Sequence, residues 1–242
     1  MPDILHLDGL NKAFGAIKVA DDLSYALREG EALGVLGPNG AGKTSMFNLI
    51  TGTLTPDAGC IRFAGQDITA QSAAARSRAG IARSFQVPQP FTHMSVFENA
   101  MVAATQAADL SGTLAEQHCL DVLDQTELLT KANRPAGSLT LLDRKRLELT
   151  RALCARPRLL LLDEIAGGLT EAECQSLVST IQQVHATGVS IIWIEHVVHA
   201  LLAVVERLVV IDFGRKIAEG APNEVMERRE VKEIYLGIEV DA

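Results

Sequence analysis

The sequence predicts an α/β fold: a mainly parallel sheet with N-terminal antiparallel strands, interrupted by an inserted α-helical subdomain. The first quarter of the chain alternates in strand fashion, and the stretch after Pro157 alternates apolar strands with helices. Such alternation is typical of a parallel sheet covered on both faces. Between these parts, about 71–156 is rich in alanine and leucine and mostly helical. We therefore expect a single domain over 1–242, with about 1–70 and 157–242 forming the core.

Local signals place the individual elements in this order. An apolar strand, Ala32–Leu36, leads through a glycine loop into a helix that ends at Gly52. Ser95 and Glu98 form a capping-box pattern that opens a helix within the insert. Pro157 ends the helical part because proline disfavours a helical residue before it. The elements expected after it are an apolar strand ending in an acidic pair, helix 171–186, strand 189–194, helix 197–203 and strand 207–212.

Composition excludes several classes of protein. The 242 residues are 48% hydrophobic and 21% charged, which is typical of a globular domain. A net charge of −8 argues against nucleic acid as a partner, since binding it nonspecifically requires a basic surface. The N-terminus lacks the apolar core of a secretion signal, and the most apolar stretch, 197–213, is broken by Glu206 and Arg207. Four cysteines without metal or disulfide spacing favour reduced thiols in the cytosol.

The glycine loop carries the strongest functional signal. GPNGAGKT, residues 37–44, matches the phosphate-loop pattern G-x-x-x-x-G-K-[ST] and lies between a strand and a helix, as a P-loop NTPase requires. Glycines let backbone N–H groups surround phosphate oxygens, Lys43 would reach the β and γ phosphates, and Thr44 would bind Mg²⁺. The alternative is a chance glycine turn before a helix. The residues expected to bind ATP here are Gly37, Pro38, Asn39, Gly40, Ala41, Gly42, Lys43, Thr44 and Ser45.

A second signal is the acidic pair at the end of the strand in LLLLDE, residues 159–164. A carboxylate at the carboxyl end of a parallel strand lies in the usual ligand crevice of such sheets. Asp163 would bind Mg²⁺, and Glu164 would act as general base toward the attacking water. Alone, the pair would be read as an ordinary acidic strand end, but the upstream loop favours a functional role.

Two further polar residues follow predicted strands. Gln86 ends IARSFQ, where it would contact the γ phosphate and Mg²⁺, and His196 ends VSIIWIEH, where it would contact the γ phosphate opposite Glu164. A single strand-end Gln or His is more often solvated or satisfied within the core. His196 is favoured because its strand is predicted to neighbour the strand that carries Glu164.

The order of these motifs resembles the ATP-binding-cassette (ABC) ATPases from Ile4 to about Gly237. KAFGAIKVADDLSYALREGE, GIARSFQVPQPFTHMSVFEN and the tail GRKIAEGAPNEV…EIYLG resemble the cassettes of branched-chain amino acid importers. The resemblance implies that Phe14 stacks on adenine, although a plain core role has comparable weight. It also implies ATP hydrolysis at the cytoplasmic face of the inner membrane. The implied partners are a second cassette, identical or paralogous, two membrane permease subunits and, indirectly, a periplasmic substrate-binding protein.

The sequence departs from the family at the signature that grips the partner's phosphate. The pattern Leu-Ser-Gly-Gly-Gln stands here as the segment 139–143, LTLLD, and Ile165 and Thr170 replace a usual proline and a usual Asp or Asn. Thr140 keeps a hydroxyl for ATP and is expected to cap the helix that runs to Ala155. A carboxylate about 4 Å from phosphate would repel it by roughly 4 kcal/mol at an effective dielectric constant of about 20, so Asp143 is expected to turn back onto the Thr140 amide.

That helix is expected to present a charged face, formed by Asp143, Arg144, Lys145, Arg146, Glu148 and Arg151. Its apolar face would be formed by Leu142, Leu149 and Leu153. The alternative for the whole segment is a decayed signature that leaves one site inactive. Two other functions stay open: a regulatory cassette with little or no hydrolysis, and a soluble cassette outside transport.

Overall fold

The structure is a computed structural model that describes residues 2–236; Met1 and 237–242, with Gly237 of the quoted tail, lie outside the described residues. Its strands are β1 (Asp3–Phe14), β2 (Ile17–Arg28), β3 (Ala32–Leu36), β4 (Ala58–Phe63), β5 (Gln66–Asp67), β6 (Ile81–Arg83), β7 (Leu159–Asp163), β8 (Ser190–Ile194), β9 (Arg207–Asp212) and β10 (Arg215–Gly220). Its α-helices are α1 (Lys43–Thr51), α2 (Ala73–Arg78), α3 (Val96–Gln106), α4 (Gly112–Gln125), α5 (Leu141–Cys154), α6 (Glu171–Ala186), α7 (Val198–Leu202), α8 (Pro222–Glu227) and α9 (Arg229–Leu236).

The central sheet has six strands in the order β10-β9-β3-β8-β7-β6. All neighbours are parallel except the edge strand β10, which returns antiparallel to β9. Strands β3, β7 and β8 are buried along their whole length, as expected for a parallel sheet covered on both faces. Since β3, β8 and β7 are adjacent, the loops after their carboxyl ends meet at one edge of the sheet. The fold prediction is confirmed, including the adjacency of β7 and β8.

The N-terminal strands form a second, antiparallel sheet in the order β2-β1-β4-β5. Its inner face shares one hydrophobic core with β3 and with α1, whose Met46 and Phe47 are fully buried. This core fixes α1, and the glycine loop before it, between the two sheets.

The insert packs α3 against α4 and α5 around a small core that includes Val96, Leu123 and Leu147. One boundary differs from the sequence prediction. Residues 81–83 were assigned to the insert, but they form β6 and pair with β7 in the central sheet. Of the stretch IARSFQ, which was predicted to be a strand ending at Gln86, only these three residues are extended. Within residues 2–236, no helix is both long enough and apolar enough to cross a membrane.

Candidate nucleotide site

Backbone geometry requires two glycines of the loop. Gly42, the residue before α1, has φ 102°, and a Cβ there would stand 2.3 Å from the carbonyl oxygen of Val19. A Cβ on Gly37 would stand 2.2 Å from the carbonyl oxygen of Ile211. Any side chain at these positions would force the loop away from its neighbours, so the conformation that exposes backbone N–H groups depends on glycine.

Lys43 is buried at the start of α1 and points back into the loop. Its Nζ donates hydrogen bonds to the carbonyl oxygens of Gly37 at 2.6 Å and Pro38 at 2.9 Å. Burial lowers the pKa of Lys43, while the carboxylates of Glu164 and Asp163 act in the opposite direction. The ammonium is therefore placed where an anion entering the loop would meet it.

The loop borders a cavity of about 320 Å³. Besides loop residues, Ile17, Val19 and the catalytic candidate Glu164 line it. Loop residues lining this cavity are Asn39, Gly40, Ala41, Gly42, Lys43, Thr44 and Ser45. Thr140 does not line it, and neither do Gln86, Asp163 and His196.

Phe14 ends β1 and is 55% exposed, which excludes the alternative of a plain core residue. The ammonium of Lys12 lies 5.7 Å from the centre of its ring. An exposed aromatic face on the sheet that supplies Ile17 and Val19 is free to stack on a planar ligand.

Asp163 is buried at the end of β7, where it meets a residue that the sequence analysis did not select. Its Oδ2 accepts a short hydrogen bond from Nη2 of Arg83, and Nη1 of Arg83 donates to Oδ1 of Asn48 at 2.7 Å. The arginine holds one oxygen of Asp163 and ties it to α1. An arginine at the end of the strand beside β7 is a usable sequence signal, but only once β6 is known to pair with β7.

Glu164, Gln86 and His196 come together, as predicted. Nε2 of Gln86 donates to Oε2 of Glu164 at 2.6 Å, and Nε2 of His196 lies 2.9 Å from Oε1 of Glu164. Glu164 has a φ of 48°, which turns its side chain out of the line of β7. Gln86 lies three residues beyond the end of β6 rather than at the strand end. Three polar groups from three adjacent strands therefore surround one point beside the loop.

The signature helix begins as predicted, but Asp143 behaves differently. Thr140 is the N-cap of α5, and its Oγ1 accepts a hydrogen bond from the backbone N–H of Asp143 at 3.3 Å. The expectation that the Asp143 carboxylate would return to the Thr140 amide is wrong. Both its oxygens accept hydrogen bonds from Nζ of Lys131 at 2.7 Å. An ammonium competes better than an amide for a carboxylate, and aspartate is one methylene shorter than the glutamate of a capping box.

The charged face expected for α5 is present, but most of it is buried. Four of its six charged residues are buried, namely Asp143, Lys145, Arg146 and Glu148. They are buried because α5 lies between the insert and the core rather than at the edge of the molecule. Arg146, for example, donates to Oγ of Ser176 on α6 at 2.8 Å. At the exposed start of the helix lie Thr140 and Leu141.

The two other departures from the family pattern have structural roles. Thr170 is the N-cap of α6 and forms a capping box with Glu173. The backbone N–H of Thr170 donates to the Glu173 carboxylate at 2.9 Å, and Oγ1 of Thr170 accepts a hydrogen bond from the backbone N–H of Glu173 at 3.4 Å. Ile165 is buried in the main core. The loop after Glu164 is therefore anchored at both ends.

The chain is similar to known proteins over nearly its whole length. The sequence model of the ABC transporter family matches residues 20–167. BraF of Pseudomonas aeruginosa, a high-affinity branched-chain amino acid transport ATP-binding protein, is 32% identical over 97% of this chain and 98% of its own. LptB of Escherichia coli, a lipopolysaccharide export system ATP-binding protein, is 33% identical over 94% of this chain and 95% of its own. A solved ATP-binding cassette of an ABC transporter in its ADP conformation superposes with a TM-score of 0.89 at 28% identity, over 98% of this chain and 100% of that chain.

Proposed function

We propose, from the premise that the chain belongs to the ABC transporter family and is an ATPase subunit of a transporter, that it energises an importer of branched-chain amino acids. Other amino acids, or small organic acids and amides, are the related cargo classes. The observation that carries the catalytic part is the convergence of Glu164, Gln86 and His196 beside the phosphate loop. The similarity to BraF supports the cargo class.

The residues fit ATP and Mg²⁺. The glycine loop would surround the phosphates with N–H groups, Lys43 would contact the β and γ phosphates, and Phe14 would stack on adenine. Thr44, Gln86 and Asp163 would hold Mg²⁺, which prefers oxygen ligands. Arg83 occupies only Oδ2 of Asp163, and Gln86 bonds to Glu164 through its nitrogen, so one oxygen of each side chain remains for the ion. The ion would neutralise charge on the β and γ phosphates.

Hydrolysis would take place opposite Lys43. Glu164 would accept a proton from the attacking water as general base. Gln86 and His196 hold its two carboxylate oxygens from either side, so its orientation is set before substrate arrives. His196 would in turn contact the γ phosphate.

The site is completed by a second cassette. Thr140 is exposed at the start of α5 and outside its own chain's cavity, so its hydroxyl and the helix N-terminus would bind the γ phosphate held by the partner. Lys131 neutralises Asp143 and keeps it 4% exposed, which removes the repulsion expected of a carboxylate in this segment. We infer that LTLLD is a working variant of the signature.

Two permease subunits would dock beside the glutamine loop. A cavity of about 320 Å³ lies between α1, β6, α3 and α5, and it is lined by both apolar and charged residues. Beside it, Phe85, Val87 and Phe91 are exposed. Such a surface fits an apolar segment with a polar edge. This docking would place the chain on the cytoplasmic face of the inner membrane, with a periplasmic binding protein delivering the cargo on the other side.

Export is the second candidate, because LptB covers the chain about as well as BraF does. Uptake of labelled leucine by cells whose copy carries Glu164→Gln separates the two. An importer predicts loss of ATP-dependent uptake, with wild-type uptake restored by the unmodified chain. Normal amino acid uptake together with a defective outer envelope would overturn the import proposal in favour of export.

Thr140→Ala is expected to lower ATP hydrolysis by the assembled transporter about tenfold, since one hydrogen bond to a charged group is lost, and to cost about 1 kcal/mol of stability through the lost cap. Thr140→Ser keeps the hydroxyl and serves as the matched control, with near-normal values in both assays. Phosphate release and thermal unfolding measure the two effects. Unchanged hydrolysis in Thr140→Ala would show that the hydroxyl does not act on the partner's ATP.

A further inference from the structure

A buried carboxylate joins the two loops that hold Glu164 and His196. Glu195, between β8 and His196, is only 1% exposed. Its Oε2 accepts a hydrogen bond from the N–H of Ala166 at 2.9 Å, and its Oε1 accepts from the N–H groups of His196 at 3.0 Å and Val197 at 3.4 Å. One side chain therefore satisfies backbone amides on both sides of the crevice.

Backbone hydrogen bonds in these two loops determine the relative positions of Glu164 and His196. Ala166 is two residues beyond Glu164, and the N–H of Glu164 donates to the carbonyl oxygen of Ile194 at 2.8 Å. Nε2 of His196 and Oε1 of Glu164, the side-chain atoms of the two loops, lie 2.9 Å apart. If the carboxylate of Glu195 releases either loop, the separation of Glu164 and His196 is no longer fixed.

The signature helix α5 packs on the same region and carries a buried ammonium group. Lys145 is buried on α5; burial lowers its pKa, and the carboxylates of Glu195 and Glu164 oppose that change. The loop after Glu164 also packs on the start of the same helix, because a Cβ on Gly168 would lie 3.4 Å from Cδ2 of Leu141. The signature helix and the two catalytic loops thus form one packed unit.

We propose that Glu195 is a positioning residue for hydrolysis: its carboxylate holds the Glu164 loop and the His196 loop together. The inference rests on the proposed function of Glu164 as general base and deepens it. Neither a neutral side chain nor a shorter one at position 195 can hold both loops. Glutamine accepts through one oxygen only, and its NH₂ would face backbone N–H groups; aspartate cannot reach both loops at once.

The test compares Glu195→Gln and Glu195→Asp with the wild type in the assembled transporter. Displacing a catalytic group by about 1 Å costs on the order of 10²-fold, so kcat should fall about 10- to 100-fold in both variants. ATP affinity should stay within about twofold, because Glu195 makes no hydrogen bond to the phosphate-loop residues 37–45 and meets His196 only through its backbone N–H. Glu31→Gln is the matched control. Glu31 is a buried carboxylate held by Arg207 before β3, at the opposite end of the sheet, and its loss should leave kcat unchanged.

Wild-type kcat in Glu195→Asp or Glu195→Gln, while Glu164→Gln is inactive, would overturn the positioning role and leave the general base intact. Wild-type kcat in Glu164→Gln would instead overturn the proposed function itself.

Discussion

Glu164→Gln is expected to abolish steady-state ATP hydrolysis and to leave ATP binding intact. The amide cannot accept a proton from the attacking water, and general-base catalysis contributes about 10²- to 10⁴-fold. Its oxygen and nitrogen can still meet Gln86 and His196, so the loop should keep its shape. Phosphate release should fall at least about 10²-fold. Calorimetry should give a normal dissociation constant, and gel filtration with ATP should show a longer-lived dimer.

Glu171→Gln is the matched control for that variant. Glu171 is an exposed acid at the start of α6, seven residues beyond Glu164, and lies outside the cavity. Its removal should not change turnover. Hydrolysis by Glu164→Gln near the parent rate would show that another group takes the proton.

Lys43→Ala is expected to remove most of the affinity for ATP. A hydrogen bond to a charged group contributes about 1.5–3 kcal/mol, which corresponds to a roughly 10- to 150-fold rise in the dissociation constant. The variant also loses the hydrogen bonds from Nζ to the Gly37 and Pro38 carbonyl oxygens, but the loop should remain folded because Gly37 and Gly42 still pack against the backbone of Ile211 and Val19. Calorimetric titration with ATP measures the loss.

The control for Lys43→Ala is Lys216→Ala, which removes an exposed lysine on β10 and should bind ATP normally. If Lys43→Ala bound ATP with wild-type affinity, the assignment of residues 37–44 as the phosphate loop would be untenable.

Local sequence signals predicted the parts of the site that follow strand ends. The phosphate loop was found because its glycines, lysine and flanking elements form one contiguous pattern. Glu164 and His196 were placed together because their strands were expected to be neighbours, and β7 and β8 do pair. Both inferences need only a local sequence pattern and the rule that the carboxyl ends of neighbouring parallel strands meet at one edge of the sheet.

Contacts between residues far apart in the sequence could not be predicted from such local signals. Lys131 ends a short 3₁₀-helix 12 residues before Asp143, and no periodicity connects the two residues. The charged face of α5 was expected from the sequence, but its burial was not: packing between insert and core encloses four of its six charged residues. Arg83 and Glu195 were missed for the same reason: each acts through a contact that exists only after the sheet is assembled.

The structural role of Lys131 also explains how an acidic residue fits in the signature. With the ammonium against both of its oxygens, Asp143 helps to fix the start of α5 and leaves Thr140 and Leu141 as the exposed groups. Glycine at position 142 would add no phosphate ligand and would destabilise the helix by about 1 kcal/mol. The variant segment is therefore expected to support hydrolysis as it stands.

The most direct test of that claim is ATP hydrolysis by the assembled transporter, measured for the wild type and for the rebuilt signature Leu142→Gly with Asp143→Gln. A working variant signature predicts robust turnover in the wild type and no gain, or a loss, in the rebuilt chain. If the wild type hydrolysed ATP only weakly and the rebuilt chain hydrolysed it severalfold faster, the account would be contradicted, because the signature would then have decayed.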